Sequence, residues 1–283
     1  MKRYDIVIPM VSLVWAGSFI AVKMGLDEMS PVEIAFFRFA VASPFMFLLL
    51  LIKKKPLVIP AREFPSIIVL ALTGVTLLYL FQFTGIKYTT AATSAMLINT
   101  NVIFIAMLSF AFLGEKLSAR KTGGIFLGFA GVAVIFGNSI FDLTASLEGN
   151  MFIILSAVCW AVYSVVGKKI LERYDALTVT TYVFILGTLF LVPFLEKGAF
   201  VTGISIGGWA IIFYLALLCS VFGYVAWYDA LSGADATRVA IFLNLIPLFA
   251  MFLSYIVLGE RITPFLAAGA ILIIYGIYLT ERG

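Results

Sequence analysis

Eleven side chains of an otherwise apolar chain are equipped to hold a polar or aromatic solute: Trp15, Ser18, Arg38, Tyr79, Gln82, Asn99, Asn101, Trp160, Tyr163, Tyr224 and Asn244. Amides, hydroxyls, indoles and one guanidinium recognise and orient a bound molecule. None of them is a nucleophile with a base at a useful spacing. The chain has no histidine, which removes the side chain that usually titrates near neutrality. All 15 acidic residues fall between the apolar runs or at their ends. Metal activation and proton transfer need clustered carboxylates or histidines. Asp229 and Asp235, six residues apart, are the nearest approach to such a cluster. Cys159 and Cys219 both lie inside apolar runs and read as small packing residues rather than a disulfide or metal pair. Gly167-Lys168-Lys169 lacks the upstream glycine and the hydroxyl of a phosphate-binding loop. The chemistry on offer is binding, with no enzymatic activity and no cofactor or metal expected.

The elements that must position these groups follow from composition. Of 283 residues, 63% are hydrophobic and 12% charged, with mean hydropathy +1.12. Apolar runs of about 20 residues recur from end to end, the length an α-helix needs to cross a bilayer. A β-barrel would instead show short alternating segments. The fold expected is all-α, a polytopic membrane protein with ten transmembrane helices. The spans are Ile6–Leu26, Ile34–Ile52, Phe64–Phe83, Ala91–Leu113, Gly123–Ile140, Met151–Gly167, Leu177–Leu195, Gly207–Tyr228, Val239–Leu258 and Pro264–Leu279. The first is too long for a signal core and no small-x-small cleavage site follows it, so it reads as a retained helix.

Alternating the loops between two sides places 14 Lys and Arg on one side and 4 on the other, with Arg38 inside a span. The positive-inside rule then puts both termini in the cytoplasm, and the chain in the cytoplasmic (inner) membrane. The net charge of +4 is a topology signal and calls for no nucleic-acid partner. The partners expected are the lipid bilayer and a small-molecule substrate, and the expected state is a monomer.

The word "LGEKL" at 113–117 returns as "LGERI" at 258–262, and the offset of 145 holds along the whole chain. Trp15 meets Trp160, Lys23 meets Lys168, Tyr79 meets Tyr224 and Asn99 meets Asn244. Gly124 and Gly131 meet Gly269 and Gly276. Chance would match Leu to Leu; it would not match Trp, Lys and Asn at one ungapped offset. The chain is expected to be two copies, residues 1–138 and 146–283, each of five spans. An odd number of spans inserts the second copy upside down, giving two inverted five-helix repeats, an arrangement common among secondary transporters. The repeated word then caps equivalent helix ends, Glu115 at the fourth span and Glu260 at the ninth.

On these helices Trp15 and Trp160 sit near mid-span, where they are expected to wall a central chamber, whereas Trp209 and Trp227 are expected at the interface. Asn99 and Asn101 point about 200° apart on a helix, so one of them at most should face the chamber squarely. The asparagines either bind substrate or bond between helices. Arg38 either snorkels outward or meets an anion or a gating carboxylate. Tyr224 and Tyr228 either line the path or anchor at the interface, and Lys23 and Lys168 read as interface anchors. Pro247 is expected to kink the ninth helix, while Val102 leaves the fourth straight. Gly124 and Gly128 form a small-xxx-small pair, read as a contact within the monomer ahead of a dimer interface. Glu33 and Asp229 are the acids nearest to a coupling role.

"LVWAGSFIAVK" (13–23), "SPVEIAFFRF" (30–39) and "FLGEKLSARKTGGIFLGFAGV" (112–132), with "VCWAVYSVVGKK" (158–169) and "LIPLFAMFLSYIVLGERITPFLAAGAILIIYGI" (245–277) in the second copy, resemble the EamA-type branch of the drug/metabolite transporter superfamily. The resemblance covers essentially the whole chain. It implies ten helices and, for many members, export of amino acids or other small metabolites. Arg38 faces Val183 across the offset, so any role it has is one-sided.

The reading that follows is a secondary transporter exporting small metabolites, amino acids foremost, by alternating access. A carrier of nucleotide sugars or other organic phosphates would want several bases in its cavity, and a cationic-drug carrier is a further alternative. An intramembrane enzyme or a channel is more remote.

Overall fold

A computed structural model describes residues 4–89, 91–136, 147–195, 203–258 and 264–283, and it is helical throughout. The ten expected spans each coincide with a helix or an interrupted helix. They are α1 (Tyr4–Gly25), α2 (Pro31–Ile52), α3 (Ala61–Tyr88), α4 (Ala91–Ile98 and Thr100–Leu113) and α5 (Ala119–Phe136), then α6 (Leu147–Leu171), α7 (Ala176–Phe194), α8 (Ile206–Gly233), α9 (Ala236–Ala240, Ile241–Asn244 and Leu245–Leu258) and α10 (Pro264–Glu281). Among the described residues, seven of them are long and apolar enough to cross a membrane, while α9 and α10 show shorter apolar stretches, Ala236–Ala250 and Ala267–Glu281. The sixth span, expected to be among the shortest, runs to 25 residues.

Local chemistry sets the helix ends. Pro31 opens α2 behind a reciprocal cap, in which the Ser30 amide donates to Glu33 Oε2 at 2.7 Å and the Glu33 amide to Ser30 Oγ at 3.3 Å. Glu33 is thus engaged in capping. Asp175 accepts from the Leu177 amide at the start of α7. Gly114, at φ 68°, closes α4 in the left-handed conformation that glycine adopts without steric cost. The partner word at 258–262 runs beyond Leu258 outside the described residues.

The bundle is apolar outside, and its largely apolar core also encloses polar side chains. Phe47, Leu51, Phe110, Phe126 and Ile271 are exposed, whereas Ser12, Arg38, Asn101, Ser156 and Thr181 are buried. A bilayer suits that arrangement, since exposed apolar faces cost nothing in lipid and most polar groups can be met inside. Thr180, Thr181 and Ser164 donate to carbonyls one turn back at 2.7–2.8 Å, which satisfies each hydroxyl within its own helix.

Pairs offset by 145 touch each other. The Tyr79 and Tyr224 hydroxyls lie 2.9 Å apart and the Ser43 and Thr188 hydroxyls 3.4 Å apart. The ring centroids of Phe39 and Phe184 are separated by 4.9 Å, those of Trp15 and Trp160 by 5.2 Å. A residue that meets its own copy lies on the axis relating the copies. Off the axis the contacts come in duplicate. Lys23 Nζ donates to the carbonyls of Ile86 and Thr89, and Lys168 Nζ to those of Leu231 and Ala234. These lysines close helix C-termini, where a cation suits the exposed carbonyls. The α5–α10 crossing is reciprocal too. A Cβ on Gly276 would stand 2.6 Å from the Gly124 carbonyl, and one on Gly131 would stand 2.8 Å from that of Gly269. This contact within the chain accounts for Gly124. With five spans per copy, the two-fold lies in the membrane plane.

The helix interruptions repeat as well. α3 widens into π geometry at Leu72–Thr76 and α8 at Tyr214–Phe222. α9 passes through a 3₁₀ segment ahead of Pro247, as expected of a residue without an amide hydrogen. The expectation of a straight fourth helix is corrected, because α4 breaks at Asn99, the equivalent of Asn244. The Asn99 amide turns to the Met96 carbonyl at 3.1 Å, and its side chain occupies the Ala95 carbonyl at 2.7 Å. An asparagine competing for its own helix's acceptors achieves without proline what Pro247 does in the other copy.

Candidate functional site

Beside the axis lies a narrow cavity of about 50 Å³, lined by Trp15, Ser18, Phe19, Arg38, Leu78, Tyr79, Gln82, Ile98, Asn101, Trp160, Leu243 and Ile246. Its wall residues sit late in α1, early in α2 and late in α3, so it extends from the axis toward the end where α1 stops and α2 begins. That is well below the ~300–1,000 Å³ typical of small-molecule sites, so its walls must part to admit a solute.

The two tryptophans meet edge to face, 90° apart, a favoured aromatic geometry. Their indole nitrogens differ. Trp15 Nε1 donates to the Cys219 carbonyl at 2.9 Å. The equivalent acceptor for Trp160 is the Gly74 carbonyl, but the Tyr224 hydroxyl occupies it at 2.7 Å, and Trp160 Nε1 has no partner among the described residues. Asn101 lines the cavity with its Oδ1 also unpartnered. Ser18 Oγ donates to the Trp15 carbonyl at 2.6 Å.

Arg38 does not snorkel; it is 2% exposed. Its Nε donates to Ser220 Oγ at 2.7 Å, and the guanidinium carbon lies 4.3 Å from the Tyr79 ring centroid and 5.2 Å from that of Phe39. Ser220 stands in the π segment of α8 and donates to the Leu215 carbonyl five residues back at 3.0 Å. The widened turn therefore fixes the oxygen that meets Arg38, in keeping with the tendency of π-bulges to mark functional positions. No carboxylate of a described residue forms an ion pair with Arg38.

Seven of the eleven sequence candidates, Trp15, Ser18, Arg38, Tyr79, Gln82, Asn101 and Trp160, share this cavity. The other four stand elsewhere. Asn99 is spent on the helix break. Asn244 is buried against α5, where a Cβ on Gly128 would strike its amide, and neither of its amide atoms has a partner among the described residues. Tyr163 stacks on Tyr228 with centroids 4.7 Å apart, and Tyr224 lies on the axis. Tyr224 and Tyr228 are fully buried, which removes the interface-anchor reading. Trp227 corrects another expectation. It is 0% exposed, donates to Ser164 Oγ at 3.2 Å and packs on Trp15 and Trp160 at 6.0 and 5.3 Å. A mid-span Trp and an interface Trp look alike in sequence, and the polar tip of this one is met inside. The liners Phe19, Leu78, Ile98, Leu243 and Ile246 carried no signal among so many apolar residues. Ser220, a lone hydroxyl in an apolar run, was a signal that went unread.

At the opposite end the repeats are tied together. Glu115, at the end of α4, accepts from the Ala236 amide at 2.6 Å, the Thr237 amide at 3.2 Å and Thr237 Oγ1 at 2.8 Å, all at the start of α9. The glutamate of the repeated word thus caps a helix of the other copy, which corrects the reading that it caps its own. Lys121 Nζ pairs with Asp235 at 2.7 Å and Arg238 approaches the same oxygen at 3.7 Å. Burial would raise the Asp235 carboxyl, but its hydrogen bond to Lys121 and the charges of Lys121, Arg238 and Lys168 outweigh that and hold it below the usual carboxylate range.

Comparison with known proteins agrees with this architecture. The model of the EamA-like transporter family matches twice, over residues 2–137 and 147–282. An uncharacterized transporter of Archaeoglobus fulgidus is 40% identical over 99% of this chain and 97% of its own length. A probable terminal-alkyne amino-acid exporter of Streptantibioticus cattleyicolor is 30% identical, covering 95% of this chain and 90% of its own. A solved crystal structure, 16% identical, superimposes with a TM-score of 0.79 over 99% of this chain and 98% of its own, which shows a shared fold. Family membership also answers the question of catalysis, since these proteins are transporters and not enzymes. Duplicated through its whole length and built around a cavity on the axis between its copies, the chain belongs to the EamA-like transporter family.

Proposed function

We propose that this transporter exports small metabolites, amino acids foremost, across the cytoplasmic membrane by alternating access, with both termini in the cytoplasm. The observation that carries this reading is a ring-walled cavity beside the two-fold axis, with Glu115 and the Lys121–Asp235 pair tying the two copies together at the other end. Equivalent halves can exchange conformations, and exchanging them would move the opening to the other face. The basic residues, 14 to 4 between the two sides, support a cytoplasmic Glu115–Lys121–Asp235 end and an outward-facing cavity. Amino acids suit a small cavity that mixes indole and phenol rings with an amide, a hydroxyl and a guanidinium. The relative named as a probable amino-acid exporter supports the same class. Nucleotide sugars fit less well, because Arg38 is the one base on the cavity wall.

The test is counterflow in proteoliposomes, with labelled amino acids, a nucleotide sugar and a cationic drug as the panel. Saturable counterflow of amino acids is expected. Saturable exchange confined to the nucleotide sugar or the drug would overturn the substrate class, and flux that never saturates would indicate a pore.

A further inference from the structure

Arg38 is 2% exposed, and among the described residues its guanidinium meets dipoles and no counter-charge: the Ser220 oxygen, the Tyr79 hydroxyl and two ring faces. A buried cation is costly unless an anion or a complete set of hydrogen bonds compensates it. Two further groups on the same wall have no partner among the described residues, the Trp160 Nε1 donor and the Asn101 Oδ1 acceptor, in side chains that are 5% and 4% exposed. A cation and a free donor call for an acceptor with negative charge. A free acceptor calls for a donor.

Resting on the transporter reading above, we infer that Arg38 is the anchor for a carboxylate on the transported solute, with Trp160 Nε1 donating to that carboxylate and Asn101 Oδ1 accepting from a neighbouring amino group. The ligand class is a small zwitterion whose apolar remainder lies against Trp15, Phe19 and Leu78. The charge count is selective. One guanidinium balances one carboxylate, so a phosphate diester pair would leave charge unmatched, and a cation without a carboxylate would face Arg38 with nothing to offset the repulsion. Val183, at the equivalent position of the second copy, provides no second anchor, so one carboxylate binds per carrier.

The test uses labelled phenylalanine in counterflow against unlabelled phenylalanine, phenethylamine, which lacks the carboxylate, and 3-phenylpropionate, which lacks the amine. In the unaltered protein phenethylamine should compete about 10- to 100-fold more weakly than phenylalanine, the span set by losing a charge-assisted hydrogen bond, with phenylpropionate between them. Arg38→Gln should bring phenylalanine down to the level of phenethylamine, whereas Arg38→Lys should keep the acid ahead of the amine. That ratio is what a merely structural arginine would leave unchanged. Should Arg38→Gln fail to fold, the analogue ratio in the unaltered protein and in Arg38→Lys still decides. Equal competition by phenethylamine, or an unchanged ratio in Arg38→Gln, overturns the anchor. Saturable counterflow of the nucleotide sugar or the drug without phenylalanine overturns the anchor but leaves the transporter reading standing. Absence of counterflow for every solute overturns both.

Discussion

The two sides of the axis share a backbone plan and differ in what fills it. On the cavity side stand Ser18, Arg38 and Gln82; the positions equivalent to them hold Tyr163, Val183 and Trp227. Tyr163 stacks on Tyr228, and Trp227 fills the space beneath Trp160. Duplication therefore supplies the hinges, since the π segments of α3 and α8 and the breaks of α4 and α9 recur in both copies. Side-chain volume decides which half is hollow. If the transporter works by exchanging the two halves, the packed rings are the closed gate, and Glu115 with the Lys121–Asp235 pair fastens it at the cytoplasmic end.

The largest expected effect comes from abolishing the difference. Ser18→Tyr combined with Gln82→Trp gives the open half the rings of the filled one, and counterflow should fall to the rate of protein-free liposomes. Undiminished transport by this double variant would show that the cavity is not the path.

Next, emptying the filled half should cost stability ahead of function. Trp227→Ala removes a fully buried ring and should lower stability by about 3–5 kcal/mol, the usual range for Trp or Phe to Ala in a packed core. The check is a thermal melt of the purified protein. An unchanged midpoint would mean that the filled half is loosely packed and not a gate.

The smallest effect concerns the fastening. Glu115→Gln keeps the shape but removes the charge that accepts three hydrogen bonds, a loss of about 1–2 kcal/mol. That shifts the balance toward opening at this end by about 5- to 30-fold. In a protein with Cys159 and Cys219 replaced by alanine, a Ser164→Cys probe beneath Trp227 should be labelled correspondingly faster. The pH response has a definite sign. The Asp235 carboxyl is depressed in the folded protein, so its pairing is fully present above the unfolded value of about 3.9 and is lost as pH falls through the lower folded value. Labelling should stay flat from pH 8 to 5 and quicken only below about pH 4. A rise centred near neutrality would assign the fastening to another group.

Much of the fold was legible because its signals are local or periodic. Lengths of apolar run define helices, the basic residues mark their ends, and a constant offset exposes the duplication. The fourth helix escaped because its break comes from a side-chain competition at Asn99, which no proline announces. The site was legible in part: polar residues in apolar runs were the right places to look, yet Asn99 and Asn101, two residues apart, went to different fates. One bonds to its own helix and the other reaches the cavity. Trp227 and Glu115 were misplaced because each finds its partner on a different span, Ser164 and Thr237, far away along the chain.

By itself the sequence determined an all-helical membrane protein of ten spans in two copies, because hydrophobic length and repetition are properties of neighbouring residues. Only the tertiary structure decided which copy-related residues meet on the axis, that Arg38 is buried with no carboxylate of a described residue paired to it, and that packed rings fill one side of the axis while a narrow cavity remains on the other. Those outcomes depend on volumes and hydrogen-bond partners brought together from helices far apart in the chain, and no local pattern records them.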